Sequence, residues 1–315
     1  MGRVSAICVS DVRGGPKSPR ERAYFQRDWG ICGDAHAGSW HRQVSLLGAE
    51  NIAAFNRRGA NVMPGAFGEN LVVEGFDFPA LPVGTLLRCG PVLLELTQIG
   101  KECHSHCEIF KRMGDCIMPR EGVFARVLEE GTIQVGDEMA LETRQIPRPW
   151  QTAVITLSDK GAVGLREDKS GPAIAKRLED SGWEVAEQIL IADEPELLQR
   201  HLIRLADQRQ LDLILTTGGT GFGPRDNTPE AVLAVAHRNA PGIAEAIRTA
   251  SASITPRAML SRGVSVIRGK TLIITLPGSP KACMECMDVF LPVIPHGLEL
   301  LRGNVEDCAR LEKTD

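Results

Sequence analysis

Residues 211–230 read LDLILTTGGTGFGPRDNTPE, and their pattern decides the fold of the C-terminal half. Leu213-Ile214-Leu215 is a short apolar run of the kind that forms a buried strand. It breaks into Thr216-Thr217-Gly218-Gly219-Thr220-Gly221, and a helix restarts at Thr228-Pro229-Glu230. Glycines between a strand and a helix let backbone N–H groups approach an oxyanion, the helix N-terminus adds a favourable dipole, and small hydroxyl residues add donors. The stretch reads as a phosphate cradle. It is not a P-loop, because the Lys-Ser/Thr that closes GxxxxGK[ST] is missing. Asp226 stands inside the cradle, where a bare phosphate site disfavours negative charge. A carboxylate there makes chemical sense if it carries Mg²⁺ to the phosphates. A plain glycine-rich turn, with Thr228 as N-cap and Pro229 at the first helical position, explains those two residues. It leaves the glycines, the threonines and the Arg225-Asp226 pair unexplained.

Outward from this stretch, strands and helices alternate. The spacing predicts strands over 152–157, 185–191, 211–216 and 271–276, and helices over 170–181, 194–208, 228–239 and from Pro280 onward. Such alternation predicts an α/β three-layer fold with a mostly parallel sheet covered on both faces. Ligands then belong at the C-terminal strand ends. The loops that fall there are Ser158-Asp159, Ala192-Asp193-Glu194, residues 216–226 and Pro277-Gly278-Ser279-Pro280.

Residues 1–141 have a different rhythm. Short apolar runs at 4–9, 43–47, 70–73 and 92–96 are separated by Gly, Pro and Asp, with one clear helix at 49–57 and a closing hairpin expected at 131–141. Many short strands with frequent turns predict a mainly-β, barrel-like fold. Between the halves, residues 142–151, ETRQIPRPWQ, are polar and hold Pro147 and Pro149, which predicts a short, semi-rigid linker. The expected organisation is therefore 1–141, a linker at 142–151, and 152–315.

The 315 residues leave room for two domains, and the 43% apolar content is enough to bury ordinary cores. A formal charge of −4 makes neither half a basic platform for nucleic acid. No apolar run reaches the length of a membrane-crossing helix, and Met1-Gly2-Arg3-Val4 leads into a strand pattern rather than a signal peptide. Nine cysteines, unevenly spread, point to a reducing compartment. The expectation is a cytoplasmic protein with neither nucleic-acid nor membrane partners.

Cys103-His104-Ser105-His106-Cys107, with Cys116, supplies zinc-ligand types, although ligands one residue apart on a strand point to opposite faces. Sulfur or cofactor chemistry is the strongest reading, an ordinary loop of reduced thiols the second and zinc the third. Lys101, Arg112 and Arg120 are cations near enough in sequence to lower a thiol pKa. Cys8, Cys32 and Cys89 have mainly apolar or glycine neighbours, which predicts burial. Cys283-Met284-Glu285-Cys286 falls in a predicted helix, where i and i+3 share a face, and reads as buried thiols rather than a redox pair. His36 and His41 flank a Gly-rich turn beside Asp34 and Arg42, and suit either a structural or an anion-binding role.

Ser158-Asp159, Asp168-Lys169-Ser170-Gly171-Pro172, Asp193-Glu194, residues 216–221, Pro224-Arg225-Asp226-Asn227-Thr228-Pro229-Glu230-Ala231 and Leu276-Pro277-Gly278-Ser279-Pro280-Lys281 recur in order. Over about residues 152–303 the chain thereby resembles the molybdopterin adenylyltransferase family of the MogA/MoaB type. The resemblance implies attachment of AMP from ATP to the terminal phosphate of molybdopterin, with Mg²⁺. The acidic positions that matter in that family match Asp193 and Asp226, here expected to be catalytic and to position Mg²⁺. Phosphate and molybdopterin would be held by Ser158, Asp159, Thr217, Gly218, Gly219, Thr220, Gly221, Pro277, Gly278 and Ser279.

Over roughly 1–141, Gly33-Asp34-Ala35-His36-Ala37-Gly38, Arg42-Gln43-Val44-Ser45, Gly65-Ala66-Phe67-Gly68-Glu69-Asn70-Leu71, Gly122-Val123-Phe124-Ala125-Arg126-Val127 and Val135-Gly136-Asp137 resemble a MOSC domain. That family uses a cysteine that handles sulfur or meets molybdenum. Cys116, Cys103 and Cys107 compete for the role, with Cys116 placed first and Cys103 second. His36, Arg42 and Asn70 are the candidate anion-binding residues. Together the resemblances imply molybdenum cofactor biosynthesis, with the N-terminal domain binding, carrying or sulfurating the cofactor. Partners would be molybdopterin, ATP and other cofactor-biosynthesis proteins or molybdoenzymes, in a homo-oligomer, trimeric or hexameric. The rival readings are a non-catalytic molybdopterin carrier or scaffold, and a reductase subunit using bound molybdenum cofactor.

Expressed apart, residues 1–145 and 150–315 should each be soluble and unfold cooperatively, because each has its own apolar pattern and the join is polar. Loss of a cooperative thermal transition in either piece would show a shared core.

Overall fold

The computed structural model describes residues 1–101, 103 and 108–303. The chain divides into two compact units, Met1–Arg148 and Pro149–Asp315.

In the first unit, strands β1 (Gly2–Val9), β2 (Ser18–Arg20), β3 (Arg22–Gln26), β4 (Gly30–Ile31), β5 (Val44–Gly48), β6 (Leu71–Glu74), β7 (Leu86–Cys89), β8 (Val92–Ile99), β9 (Val123–Glu129), β10 (Gly131–Gln134) and β11 (Glu138–Glu142) build a barrel with a small side sheet. The barrel runs β11-β7-β8-β9-β5-β6-β1 and closes by antiparallel pairing of Gly2 with Met139 and Arg3 with Glu138. Closure removes the exposed edges that an open sheet would carry. Val4, Phe25, Leu46, Leu71, Leu94, Val127 and Ile133 fill one core. A second cluster around Phe55, Phe67 and Ile117 lies under α1 (Ala49–Arg57), α2 (Glu108–Met113) and α3 (Met118–Glu121). The expected hairpin at 131–141 is not one. β10 pairs with β3 in the side sheet, whereas β11 pairs with β7 and β1. A tight turn at Gln134–Asp137 separates their directions: Asp137 N donates to Gln134 O (3.1 Å) and Gln134 N to Asp137 Oδ2 (2.9 Å).

In the second unit, β12 (Gln151–Leu157), β13 (Glu184–Ile191), β14 (Leu213–Thr217), β15 (Arg238–Asn239), β16 (Ser265–Arg268) and β17 (Thr271–Leu276) form one sheet in the order β13-β12-β14-β17-β16-β15. The four strands from β13 to β17 in that order are parallel, and β16 and β15 extend the sheet antiparallel. Alternate residues feed opposite faces, as a period of 2 requires. Leu213 and Leu215 join the core with α5 (Ser170–Glu179) and the later helices, whereas Ile214 joins the core beneath α6 (Pro195–Ile203) and α7 (Thr228–Ala234). Each is fully buried, and each such side chain stabilises the fold by about 1.5–3 kcal/mol. The remaining helices are α4 (Asp159–Ala162), α8 (Pro241–Ala252), α9 (Pro280–Phe290) and α10 (Ile294–Arg302). Two elements differ from expectation. Helix α7 stops at Ala234 instead of running to 239, because Arg238–Asn239 pair with Val266–Ile267 as an edge strand. Helix α6 passes into a π turn over Arg204–Gln208.

Part of the polar join is fastened to the barrel. Glu95 on β8 is buried, and its carboxylate receives Arg126 Nε at 2.6 Å, Arg144 Nη2 at 2.5 Å and Arg148 Nε at 3.6 Å. Arg144 Nη2 also donates to Gly84 O (3.2 Å). The first unit therefore ends at Arg148. A fragment ending at Arg148 should be more stable to urea than one ending at residue 143, by about 2 kcal/mol, since the shorter piece strips partners from a buried carboxylate. Coincident unfolding midpoints would contradict this.

Candidate functional site

The parallel register places four loops at one edge of the second sheet. Leu157 stands opposite Ile191, Thr156 opposite Thr217, and Thr217 opposite Leu276. The chain leaving β12, β13, β14 and β17 therefore emerges on the same side. The loops are packed to contact. Gly218 and Gly219 take φ of +102° and +62°, a region that favours glycine. A Cβ on Gly218 would collide with the Leu157 carbonyl oxygen, and one on Gly219 with the Thr228 hydroxyl. Hydrogen bonds then fix the turn. Thr228 Oγ1 donates to Gly218 O (3.0 Å), Thr228 N to Gly219 O (3.2 Å) and Gly218 N to Leu276 O (3.3 Å). Thr228 is thus not the helix cap that its position suggests. Asn227 holds that place, and the Thr228 hydroxyl is spent on the cradle.

A cavity of about 570 Å³ opens between these loops. Ser158, Asp193, Thr217, Gly218, Gly219, Asp226 and Gly278 line it. Thr220, Gly221 and Pro277 instead line a neighbouring apolar cavity bounded by α8 and α9. Asp159 and Ser279 border neither cavity. Ser158 Oγ accepts from Gly161 N (3.0 Å) and caps α4.

Reciprocal hydrogen bonds join the two acidic loops. Asp159 N donates to Asp193 Oδ2 (2.9 Å), and Asp193 N to Asp159 Oδ1 (3.0 Å). Arg225 then bridges from the cradle loop, its Nη2 reaching Asp159 Oδ1 at 2.7 Å and Glu194 Oε1 at 3.0 Å. The Arg225 guanidinium holds the Asp159 carboxyl below the usual range. Asp193 goes the other way. Burial raises its pKa, and the nearby Asp159 and Asp226 carboxylates add to the rise. Asp226 Oδ2 accepts from Gly223 N (2.8 Å). A centre where two carboxylates face one cavity, one of them partly desolvated, favours an incoming cation or a cation-bearing anion.

Sequence reasoning missed the residue that holds this loop shut. Arg262 reaches the Asp226 carbonyl, the Glu230 carboxylate and Gly221 O, the last at 2.7 Å. It also missed Arg166, which lines the cavity with Glu167, Asp168 and Lys169, the last paired to Glu167 at 3.8 Å. Neither arginine lies within the glycine-rich stretch, and distance along the chain conceals both. Among the described residues no group of three or more His, Cys, Asp or Glu is placed to hold a metal ion by itself.

In the first unit, the predicted anion-binding residues are largely occupied. Asn70 is buried; its Nδ2 donates to Cys8 O (3.0 Å) and Asp34 Oδ2 (2.8 Å), and its Oδ1 accepts from Ser45 N and Oγ. That leaves no donor for a ligand. His36 Nδ1 lies 3.2 Å from Asp34 Oδ1 and its Nε2 accepts from Gly14 N (3.4 Å), and burial lowers its pKa, so the ring is neutral at physiological pH. The buried Lys17–Asp34 pair, at 3.0 Å, is the centre of this cluster. Arg42 differs: its guanidinium stacks over Trp40 (4.7 Å) and Phe124 (5.6 Å).

The thiols sort differently from their sequence neighbourhoods. Cys116 is buried beside Ile117 and Met118, and Arg120 is paired first to Asp115 at 3.1 Å, so burial weighs against ranking Cys116 first. Cys103 is exposed. His104, His106 and Cys107 lie outside the described residues, and with them the zinc reading. Cys32, expected to be buried, is exposed, whereas Cys8 and Cys89 are buried, with thiols that burial pushes up to about 12. Iodoacetamide should therefore modify Cys103 and Cys32 well before Cys8, Cys89 and Cys116. Peptide mapping that finds Cys116 labelled as fast as Cys103 would contradict this packing.

Comparison with known proteins agrees with both halves. Residues 153–296 match the family described as a probable molybdopterin binding domain, and residues 33–140 match the MOSC domain. The molybdopterin adenylyltransferase of Helicobacter pylori (strain ATCC 700392 / 26695) is 42% identical over 153 residues, covering 48% of this chain and 87% of that protein. That of Escherichia coli (strain K12) is 40% identical over 152 residues, covering 46% of this chain and 77% of that protein. The crystal structure of the molybdopterin biosynthesis enzyme MoaB from Thermus thermophilus aligns over 49% of this chain and 97% of its own, with 47% identity and a TM-score of 0.47. The chain belongs, through its second unit, to the molybdopterin adenylyltransferase family, and its first unit carries a MOSC domain.

Proposed function

We propose that the second unit transfers the adenylyl group of ATP to the terminal phosphate of molybdopterin, within molybdenum cofactor biosynthesis. In this reaction a phosphate oxygen of molybdopterin forms a bond to the α-phosphorus of ATP. The bond from that phosphorus to the bridging oxygen breaks, and pyrophosphate leaves. The observation that carries the reading is the convergence of Gly218, Gly219, Gly278, Asp193 and Asp226 on one cavity at the strand ends. Glycine loops admit phosphates closely, and positioning with charge neutralisation supplies most of the catalysis in such transfers. Arg166, which lines the same cavity, would add a cation toward the phosphates.

Asp193 and Asp226 fit a divalent cation of the Mg²⁺ kind. Such an ion takes one or two carboxylates and fills its remaining positions with substrate phosphate oxygens and water, so a carboxylate pair suffices where a three-ligand cluster is absent. Mg²⁺ held there would neutralise phosphate charge. Asp159 has a different part: paired to Arg225 and clasped to the Asp193 backbone, it orients the Asp193 loop.

The MOSC domain, in this reading, binds the cofactor or its product, and Cys103 is its accessible sulfur- or molybdenum-handling thiol. Arg42, whose guanidinium lies over two aromatic rings, remains an anion-binding candidate.

Asp193→Ala and Asp226→Ala should each lower ATP-dependent adenylylation by roughly 10²-fold, measured as product formed per enzyme under saturating molybdopterin. Full turnover in either variant would remove that residue from the mechanism. The raised Asp193 carboxyl is protonated at a higher pH than an ordinary carboxyl. In metal-free protein the Asp193 carboxyl should therefore titrate above an ordinary aspartate, and added Mg²⁺ should lower it, as followed by NMR of the carboxyl carbon; a titration that Mg²⁺ leaves unmoved would contradict the assignment.

A further inference from the structure

The C-x-x-C of α9 leaves a buried thiol beside the cavity for which the transfer chemistry has no use. Cys283 is fully buried in the first turn of α9, directly after the Pro277-Gly278-Ser279 loop. Its Sγ donates to Pro277 O at 2.9 Å. Thr217, the last residue of β14 and also fully buried, donates from Oγ1 to the same carbonyl at 2.6 Å. The two side chains lie 3.5 Å apart. A carbonyl oxygen has two lone pairs, and here a thiol and a hydroxyl take both.

The carbonyl they hold belongs to the loop that faces the phosphates. Gly278 borders the cavity, and a Cβ on it would come to 3.6 Å from the Gly218 Cα, so the space between the Gly278 and Gly218 turns is no wider than a methyl group fills. The Gly218 N–H to Leu276 O bond ties the same two segments one residue further back. The position of the Pro277–Gly278 peptide therefore depends on what grips the Pro277 oxygen. Burial pushes the Cys283 thiol up to about 11, so it keeps its proton, and its donor capacity, across the physiological range.

From this geometry we infer that Cys283 is a positioning residue of the transfer site: its S–H, with the Thr217 O–H, clasps the Pro277 carbonyl and fixes the Pro277-Gly278-Ser279 loop against the Gly218-Gly219 turn. The inference rests on the proposed adenylyl transfer for its kinetic consequence, and on the fold alone for its structural one. Misplacing a positioning group by about 1 Å costs on the order of 10²-fold in rate. Thr217 would still hold the oxygen if the thiol were lost, so a smaller loss, about 10-fold, is expected.

Two substitutions separate the donor from mere filling of space. Cys283→Ser keeps a donor and loses apolar character; Cys283→Val keeps apolar volume and loses the donor. Both are compared with the wild-type full chain by adenylylation kinetics and by hydrogen exchange of peptides spanning residues 277–282. The donor role predicts that the Ser variant retains kcat within about threefold and wild-type exchange. It predicts that the Val variant loses about 10-fold in kcat and exchanges faster at Gly278 and Ser279. A packing role predicts the reverse order, and that result, or a Val variant equal to wild type in both readouts, overturns the inference. If the Val variant does not fold, Cys283→Ala removes the donor with less crowding and is held to the same two outcomes. If wild-type protein shows no adenylylation, the proposed activity fails while hydrogen exchange still decides the clasp.

Discussion

Gly218 has no room for a side chain. Its backbone passes so close to the Leu157 carbonyl that a Cβ would collide with it, and its φ of +102° favours glycine. This one close approach brings the end of β14 against the end of β12 and, through the Gly218 N–H bond to Leu276 O, against β17. Everything at the site follows from it. The Thr228 hydroxyl can reach the Gly218 carbonyl, α7 can start where it does, and Asp226 is carried to the same cavity as Asp193. The glycines here are steric requirements first, and the phosphate cradle is what their close packing leaves open.

The charge arrangement is built on that frame. Asp159 and Asp193 exchange backbone N–H bonds, so neither loop can shift alone. Arg225 neutralises Asp159 and Glu194 at the rim, and leaves the Asp193 and Asp226 carboxylates to face the cavity. The pairing explains why two neighbouring aspartates have opposite shifts: Asp159 is lowered by a guanidinium, and Asp193 is raised by burial and by its acidic neighbours.

Much of this was legible in the sequence. The run LDLILTTGG states a buried strand followed by a glycine turn, and TPE states a helix start, because strand burial and helix entry are local matters of apolar run, glycine and proline. The alternation of elements then fixes which strand ends share an edge. What could not be read is set by distance through space. Arg262 and Arg166 reach the site from positions far from Asp226 in chain order; nothing in the sequence around Arg262 marks it, and Arg166 stands just before the Asp168-Lys169-Ser170 motif rather than in it. The same limit explains the thiols. Arg120 sits near Cys116 in sequence, but its guanidinium pairs first with Asp115 and the Cys116 thiol is buried. Cys32 follows Ile31, a core residue, yet its own side chain points outward. The hairpin read at 131–141 failed for a related reason: turn chemistry is local, whereas the partner each strand takes in a barrel is not.

Adenylyl transfer in the cavity at the strand ends is the proposed activity on which the roles of Asp193 and Asp226 depend. Incubating the full chain with ATP, Mg²⁺ and molybdopterin, and following the products by mass spectrometry, tests it most directly. The account predicts adenylylated molybdopterin and pyrophosphate in equal amounts, with neither formed when molybdopterin is omitted. Tight molybdopterin binding with no adenylylated product, from protein shown to be folded, would contradict it and make the second unit a carrier.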